Sequence, residues 1–141
     1  MMRALLLALG LAGCAPHLSR STSAKGLSDQ SQATQYFIQA KVFEEQDNHL
    51  GAIVALRSAA DLDPTSPTIF AQLARNYRQI GDHRMATTYA EKSLQLDADQ
   101  SGLRLRLVRW YDGLGDAAAS ARHVEILIEQ DPHNWQLYSH L

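Results

Sequence analysis

Residues Pro67 to Gln100 read PTIFAQLARNYRQIGDHRMATTYAEKSLQLDADQ, and this stretch decides the fold. Counted from 1 to 34, it places Phe70, Leu73, Ala74 and Tyr77 at 4, 7, 8 and 11. That spacing puts all four on one face of a helix. Gly81-Asp82 follows at 15 and 16, Ala86 at 20 and Leu96-Asp97 at 30 and 31. A glycine ends a helix by turning left-handed, and an aspartate opens the next by capping it. The stretch therefore predicts two helices, 67–80 and 83–96, joined by a tight turn. Ser66-Pro67 opens the first: serine caps, and proline suits the first helical position, where its missing N–H has no partner.

The same frame fits both flanks without a gap. Ala33 to Ser66 gives Tyr36 at 4, Ala40 at 8, Phe43 at 11, Ala52 at 20, Leu56 at 24, Ala59 at 27 and Leu62-Asp63-Pro64 at 30 to 32. It predicts helices 33–47 and 49–62, the second stopped by Pro64. Asp47-Asn48 stands where Gly-Asp is found elsewhere, with the asparagine expected to bear the left-handed turn. Ser101 to Asn134 gives Leu107 at 7, Tyr111 at 11, Gly115-Asp116 at 15 and 16 and Asp131-Pro132 at 31 and 32. This repeat departs most, with Arg104, Val108 and Ser120 at 4, 8 and 20. Its opening Leu103-Arg104-Leu105-Arg106-Leu107 alternates like a strand. Leu103, Leu107, Tyr111 and Leu114 also fit a helix, and the 34-residue frame decides for helix. Val124, Leu127 and Ile128 then line its second helix.

Aromatic, Leu, small, Tyr and then Ala at a 34-residue period resembles the tetratricopeptide repeat, TPR. The resemblance implies an all-α solenoid of three antiparallel helix pairs in a right-handed superhelix, with repeats 33–66, 67–100 and 101–134. One such unit cannot bury its own apolar face, and about three are needed for stability. The tail 135–141, WQLYSHL, is expected either to cap the array on Ile126 and Leu127 or to face a partner.

The front of the chain carries a different signal. Residues 1–13 carry Arg3 ahead of an Ala/Leu run and end in Leu11-Ala12-Gly13, directly before Cys14, the only cysteine. This has the form of a secretory signal peptide, too short to span a bilayer, which needs ~20 apolar residues. Leu-Ala-Gly-Cys resembles the lipobox of bacterial lipoproteins. The resemblance implies cleavage before Cys14, lipidation of its sulfur and acylation of its amino group, and Ala15 rather than Asp favours the outer membrane. Two or more acyl chains anchor firmly where one does not. Residues 14–32, rich in Ser, Gly, Gln and charge, are expected to form a flexible tether.

No catalytic signature is present: no Gly-x-Ser-x-Gly, no phosphate loop followed by Lys, no His-Glu-x-x-His. A formal net charge of −2 gives no push toward nucleic acid. The six histidines lack metal-ligand spacing and are expected to be solvated; no cofactor is implied. The TPR resemblance assigns the partner groove to positions 2, 5, 9, 12 and 13 of each first helix. Position 9 is basic three times, as Lys41, Arg75 and Arg109. Arg75 and Arg78 have no acid three or four residues away on their own helix, whereas Lys41 has Glu44 and Glu45 and Arg109 has Asp112. Phe37 and Leu105 would be apolar anchors. Some TPR domains clamp a chaperone's terminal carboxylate, but only Arg106 fits that pattern here.

These resemblances imply a non-enzymatic, membrane-anchored scaffold that binds envelope proteins, similar to the TPR lipoproteins of pilus and secretion machines. The alternative is an adaptor for peptidoglycan hydrolases. Self-association to complete the superhelix is a further expectation for so short an array.

Overall fold

The computed structural model describes residues 20–140, with side chains from residue 28. The expected leader, Cys14 and residues 15–19 lie outside the described residues, as do Leu141 and the side chains of Trp135, Ser139 and His140. Among the described residues there are six α-helices, one closing 3-10 helix and no strand. They are α1 (Arg20–Glu45), α2 (His49–Leu62), α3 (Pro67–Gln79), α4 (His83–Leu96), α5 (Ser101–Leu114), α6 (Ala117–Gln130) and the 3-10 helix Trp135–His140. The alternating Leu-Arg segment of repeat three is helical, as the repeat frame requires. None of these helices is long and apolar enough to cross a membrane.

The helices pair as α1–α2, α3–α4 and α5–α6, and each hairpin rests on the next. The turns follow from single residues. Gly81 and Gly115 take left-handed backbone angles, φ 81° and 74°. Asp82 and Asp116 then accept the N–H of Met85 and Ala119 at 3.0 Å. In the first hairpin the left-handed residue is Asp47, φ 57°, and not the expected asparagine. Asn48 instead caps α2, its side-chain oxygen 2.9 Å from the Gly51 nitrogen. Each position thus keeps its role across repeats, and Asp47 bears a conformation that costs an L residue on the order of 1 kcal/mol. Asp47→Gly is expected to raise stability by roughly 0.5–1 kcal/mol and the melting temperature by a few degrees. An unchanged or lowered midpoint would show that the Asp47–His49 contact, 3.1 Å, outweighs the strain.

Three apolar clusters run along the stack. Ala40, Ala52, Ile53, Leu56, Ala59, Ile69, Phe70 and Leu73 join the first two repeats. Ala74, Ala90, Leu94, Leu103 and Leu107 join the second and third. Val108, Val124 and Leu127 take Leu137 from the 3-10 helix. The fully buried alanines stand where helices cross, because a methyl group allows the closest backbone approach. The tail therefore folds back on α6, although through Leu127 and not Ile126, which stays exposed.

Three expectations change. α1 reaches back to Arg20, so residues 20–32 are helix and not loose tether. Once Ala33, Phe37 and Ala40 anchor the helix, adding residues is far cheaper than nucleating a new one, and no proline interrupts 20–32. Tyr36 remains 39 % exposed, whereas Phe70 at the same repeat position is buried at 2 %. That position packs on the preceding repeat, and among the described residues no hairpin precedes Tyr36. Leu114, expected on the inner face of α5, is exposed at its C-terminal turn.

Candidate functional site

The first helices of the hairpins, α1, α3 and α5, carry the positions assigned to a groove, and those positions line three of the depressions along them. The middle one, about 340 Å³, is lined by Arg75, Arg78 and Gln79 of α3 and by Arg106 and Trp110 of α5. The three arginines are exposed. Trp110 is half-buried, packed against the cluster of Ala74, Leu94, Leu103 and Leu107. No carboxylate lines the depression. Arg78 Nη1 contacts the His83 ring, 3.1 Å from Nε2, which steadies its guanidinium at the rim. Three planar donors beside an indole suit carboxylates and an adjacent apolar group.

This is not the expected ladder of Lys41, Arg75 and Arg109. Lys41 is paired with Glu44. Glu44 Oε1 also receives Asn76 Nδ2 at 2.5 Å, and Asn76 Oδ1 faces His49 Nδ1 at 2.9 Å. Asn76 is 1 % exposed, so this chain of contacts ties α1, α2 and α3 together. Burial alone would raise the Glu44 carboxyl. Hydrogen bonds from Lys41 and Asn76, with the charges of Lys41 and Arg75, outweigh it and hold the carboxyl below its ordinary range. Lys41 therefore serves the framework. Arg109, three residues beyond Arg106, is turned about 60° around the helix and does not line the middle depression.

Phe37 lines a smaller depression of about 170 Å³ with Thr34, Thr68 and Ile69, and packs against the first apolar cluster. Leu105 lines another, of about 510 Å³, with Leu127 and Leu137. The expected anchors thus both border depressions, but neither belongs to the basic one. The pattern did not single out Trp110, and it placed Arg106 only in a clamp that the rest of the chain does not complete. Their spacing of four residues on one face of α5 was the available signal.

A second polar group lies inside the fold. His123 is 6 % exposed, which overturns the expectation of solvated histidines for this residue. Its Nε2 lies 2.9 Å from Glu91 Oε1 and its Nδ1 3.4 Å from Arg104 Nη1. Arg104 is 5 % exposed and also donates to the Ala98 carbonyl at 3.0 Å. Tyr111 stacks on the imidazole, centroids 5.8 Å apart, and donates to Glu91 Oε1 at 3.0 Å. A guanidinium can only donate, so Nδ1 accepts and the Nε2 proton goes to Glu91. The hydrogen bond from His123 outweighs burial and draws the Glu91 carboxyl below its ordinary range. Burial, with the Glu91 charge, pushes the Tyr111 hydroxyl up to about 12. The group joins α4, α5 and α6, with the Arg104 Nε its one buried atom lacking a hydrogen-bond partner. No set of three His, Cys, Asp or Glu among the described residues is placed to hold a metal.

No family model matches the chain. Solved structures share its fold. The TPR domain of Arabidopsis OM64 superposes with a TM-score of 0.67 at 12% identity, over 79% of this chain and 93% of that one. The second TPR domain of human RPAP3, in complex with the HSP70 peptide SGPTIEEVD, gives 0.65 at 17% identity over 82% and 94%. MamA gives 0.68 at 18% identity over 86% and 71%. Six helices in stacked hairpins with this likeness make the fold a TPR solenoid.

Proposed function

We propose that this chain is a non-enzymatic interaction scaffold, tethered to the bacterial envelope through lipid on Cys14, that grips an acidic segment of a partner protein. The observation that carries the binding role is the middle depression, where Arg75, Arg78 and Arg106 converge beside Trp110 without a carboxylate. Adjacent helices lie 8–10 Å apart, near the Debye length at physiological salt, so one bound carboxylate feels several of these charges. Human RPAP3 holds an acidic peptide on a solenoid of the same type. The arginines here stand at other repeat positions than the chaperone clamp, apart from Arg106, so the bound segment need not end in a free carboxylate.

The partner is an envelope protein of a pilus or secretion machine; a peptidoglycan hydrolase is the alternative. Pull-down from solubilised envelopes separates the two, by recovery of secretin and pilus subunits or of murein hydrolases. Recovery of neither class would count against both. The anchor has its own test. Cys14→Ala is expected to move the protein from the membrane fraction to the soluble one, and unaltered sedimentation with membranes would remove the lipid from the proposal.

A further inference from the structure

The depression that Leu105 borders sits at the C-terminal end of the groove face. Its floor is Leu105, Leu127 and Leu137, and its rim holds Asp99, Gln130, Asp131 and Asn134. Leu127 and Leu137 are buried and Leu105 half-buried, so the floor is a continuous part of the third apolar cluster. The depression is a repeat of the one that Phe37 borders. Position 2 is Thr34 in the first repeat and Gly102 in the third, and position 5 is Phe37 and then Leu105. With smaller side chains at both positions, and the 3-10 helix in place of α3 as the far wall, the volume is about 510 Å³ against about 170 Å³.

We infer that this C-terminal depression takes a lysine or arginine side chain from the same partner segment whose acidic residues lie on Arg75, Arg78 and Arg106. A long basic side chain has the required composition. Its aliphatic stem covers an apolar floor while its head stays at a polar rim. Two helix ends border the depression, the N-terminus of α5 at Ser101 and the C-terminus of α6 at Gln130. Their opposed dipoles largely cancel. The carboxylates of Asp99 and Asp131 then decide the sign, and they favour a cation.

The two depressions flank α5. The Ser101–Leu105 and Arg106–Trp110 segments lie roughly 8 Å apart along its axis at 1.5 Å per residue, on faces turned about 110° from one another, so the path between them over a helix about 10 Å wide runs around its surface. The separation of roughly 13 Å corresponds to about four residues of extended chain. A segment with an acidic residue and a basic residue about four apart would span both sites. Opposite charge at the two ends fixes its direction, because the reversed segment places each charge against its like.

This inference rests on the peptide-binding reading of the groove face, and the experiment keeps the two separate. The full chain is titrated with N-acetyl-lysine amide, and with N-acetyl-norleucine amide as the uncharged match, following backbone amide shifts. Expected are saturable shifts at Gly102, Leu105, Asp131 and Asn134 with the lysine probe only. In Asp131→Asn the affinity should fall about fivefold, or ~1 kcal/mol. Gly102→Gln should abolish the shifts without unfolding α5, since a Cβ there meets nothing within 4 Å. Equal shifts with norleucine, unsaturated shifts at all exposed carboxylates, or no shifts at all would overturn the inference. N-acetyl-aspartate amide, run in parallel, probes the arginine depression, and its failure alone would sink only the acidic-segment reading.

Discussion

His123→Ala should cost about 2–4 kcal/mol of folding stability, read as a lower denaturant midpoint at unchanged slope. Three effects add. The imidazole is buried and packs face to face on Tyr111, so its removal leaves a cavity. The buried Arg104 loses one of its two acceptors, and its Nε already has none. Glu91 loses the hydrogen bond that most favours its charged form. A domain of this size is stable by only ~5–15 kcal/mol, so the third repeat would open well before the rest. A loss under ~0.5 kcal/mol would show that the group contributes nothing to the stack.

The pH dependence follows from the same contacts. The Glu91 carboxyl titrates below its ordinary 4.5 in the folded chain, so its stabilising contribution is fully present above that value. It is lost as pH falls through the folded-state value. In His123→Ala the carboxyl returns toward the ordinary range and this acid limb flattens. Wild-type and variant stabilities should therefore converge on acidification. Parallel curves would assign the cost of the substitution to the cavity alone.

Reversing Arg75, Arg78 and Arg106 together to glutamate should weaken binding of an acidic peptide by about a hundredfold. Each exposed charge pair is worth roughly 1 kcal/mol after solvent screening, and three sum to about that factor. The local charge changes from +3 to −3, so a residual attraction becomes repulsion. All three side chains are exposed and none lies in the core, so helical content should not change, and the melting temperature should fall only slightly, through loss of the Arg75 charge that favours ionised Glu44. Arg84→Glu, an exposed reversal on α4 away from the depression, is the control. Polarisation of a labelled peptide bearing a Glu-Glu pair reads the effect, and wild-type affinity should also fall with salt. Binding that survives the triple reversal would exclude the middle depression as the contact surface.

Most of the architecture was legible because its signals are local. A helix start needs Asp82 or Asp116, a helix stop needs Gly81 or Gly115, and both act within a turn of themselves. The apolar face of α3 needs only residues three and four apart. The basic depression was half legible. Arg75 and Arg78 stood out by lacking a neighbouring acid on their own helix. Their partners Arg106 and Trp110 come from the next hairpin, and which face of α5 meets α3 depends on inter-helix rotation that no single helix reveals. The pairing of Lys41 with Glu44 was legible at three residues' spacing, but the Asn76 that also holds Glu44 lies 32 residues away.

From the order of its residues alone, the chain specifies its hairpins, their 34-residue spacing and the small side chains where helices cross, because capping, turning and amphipathic periodicity act over a few residues. Only the packed stack sets the inward turn of Arg104 and His123, the exposure of Tyr36 and the grouping of arginines around Trp110. Each of those depends on what, among the described residues, the adjoining hairpins present, and burial and charge pairing between hairpins are properties of the assembled solenoid.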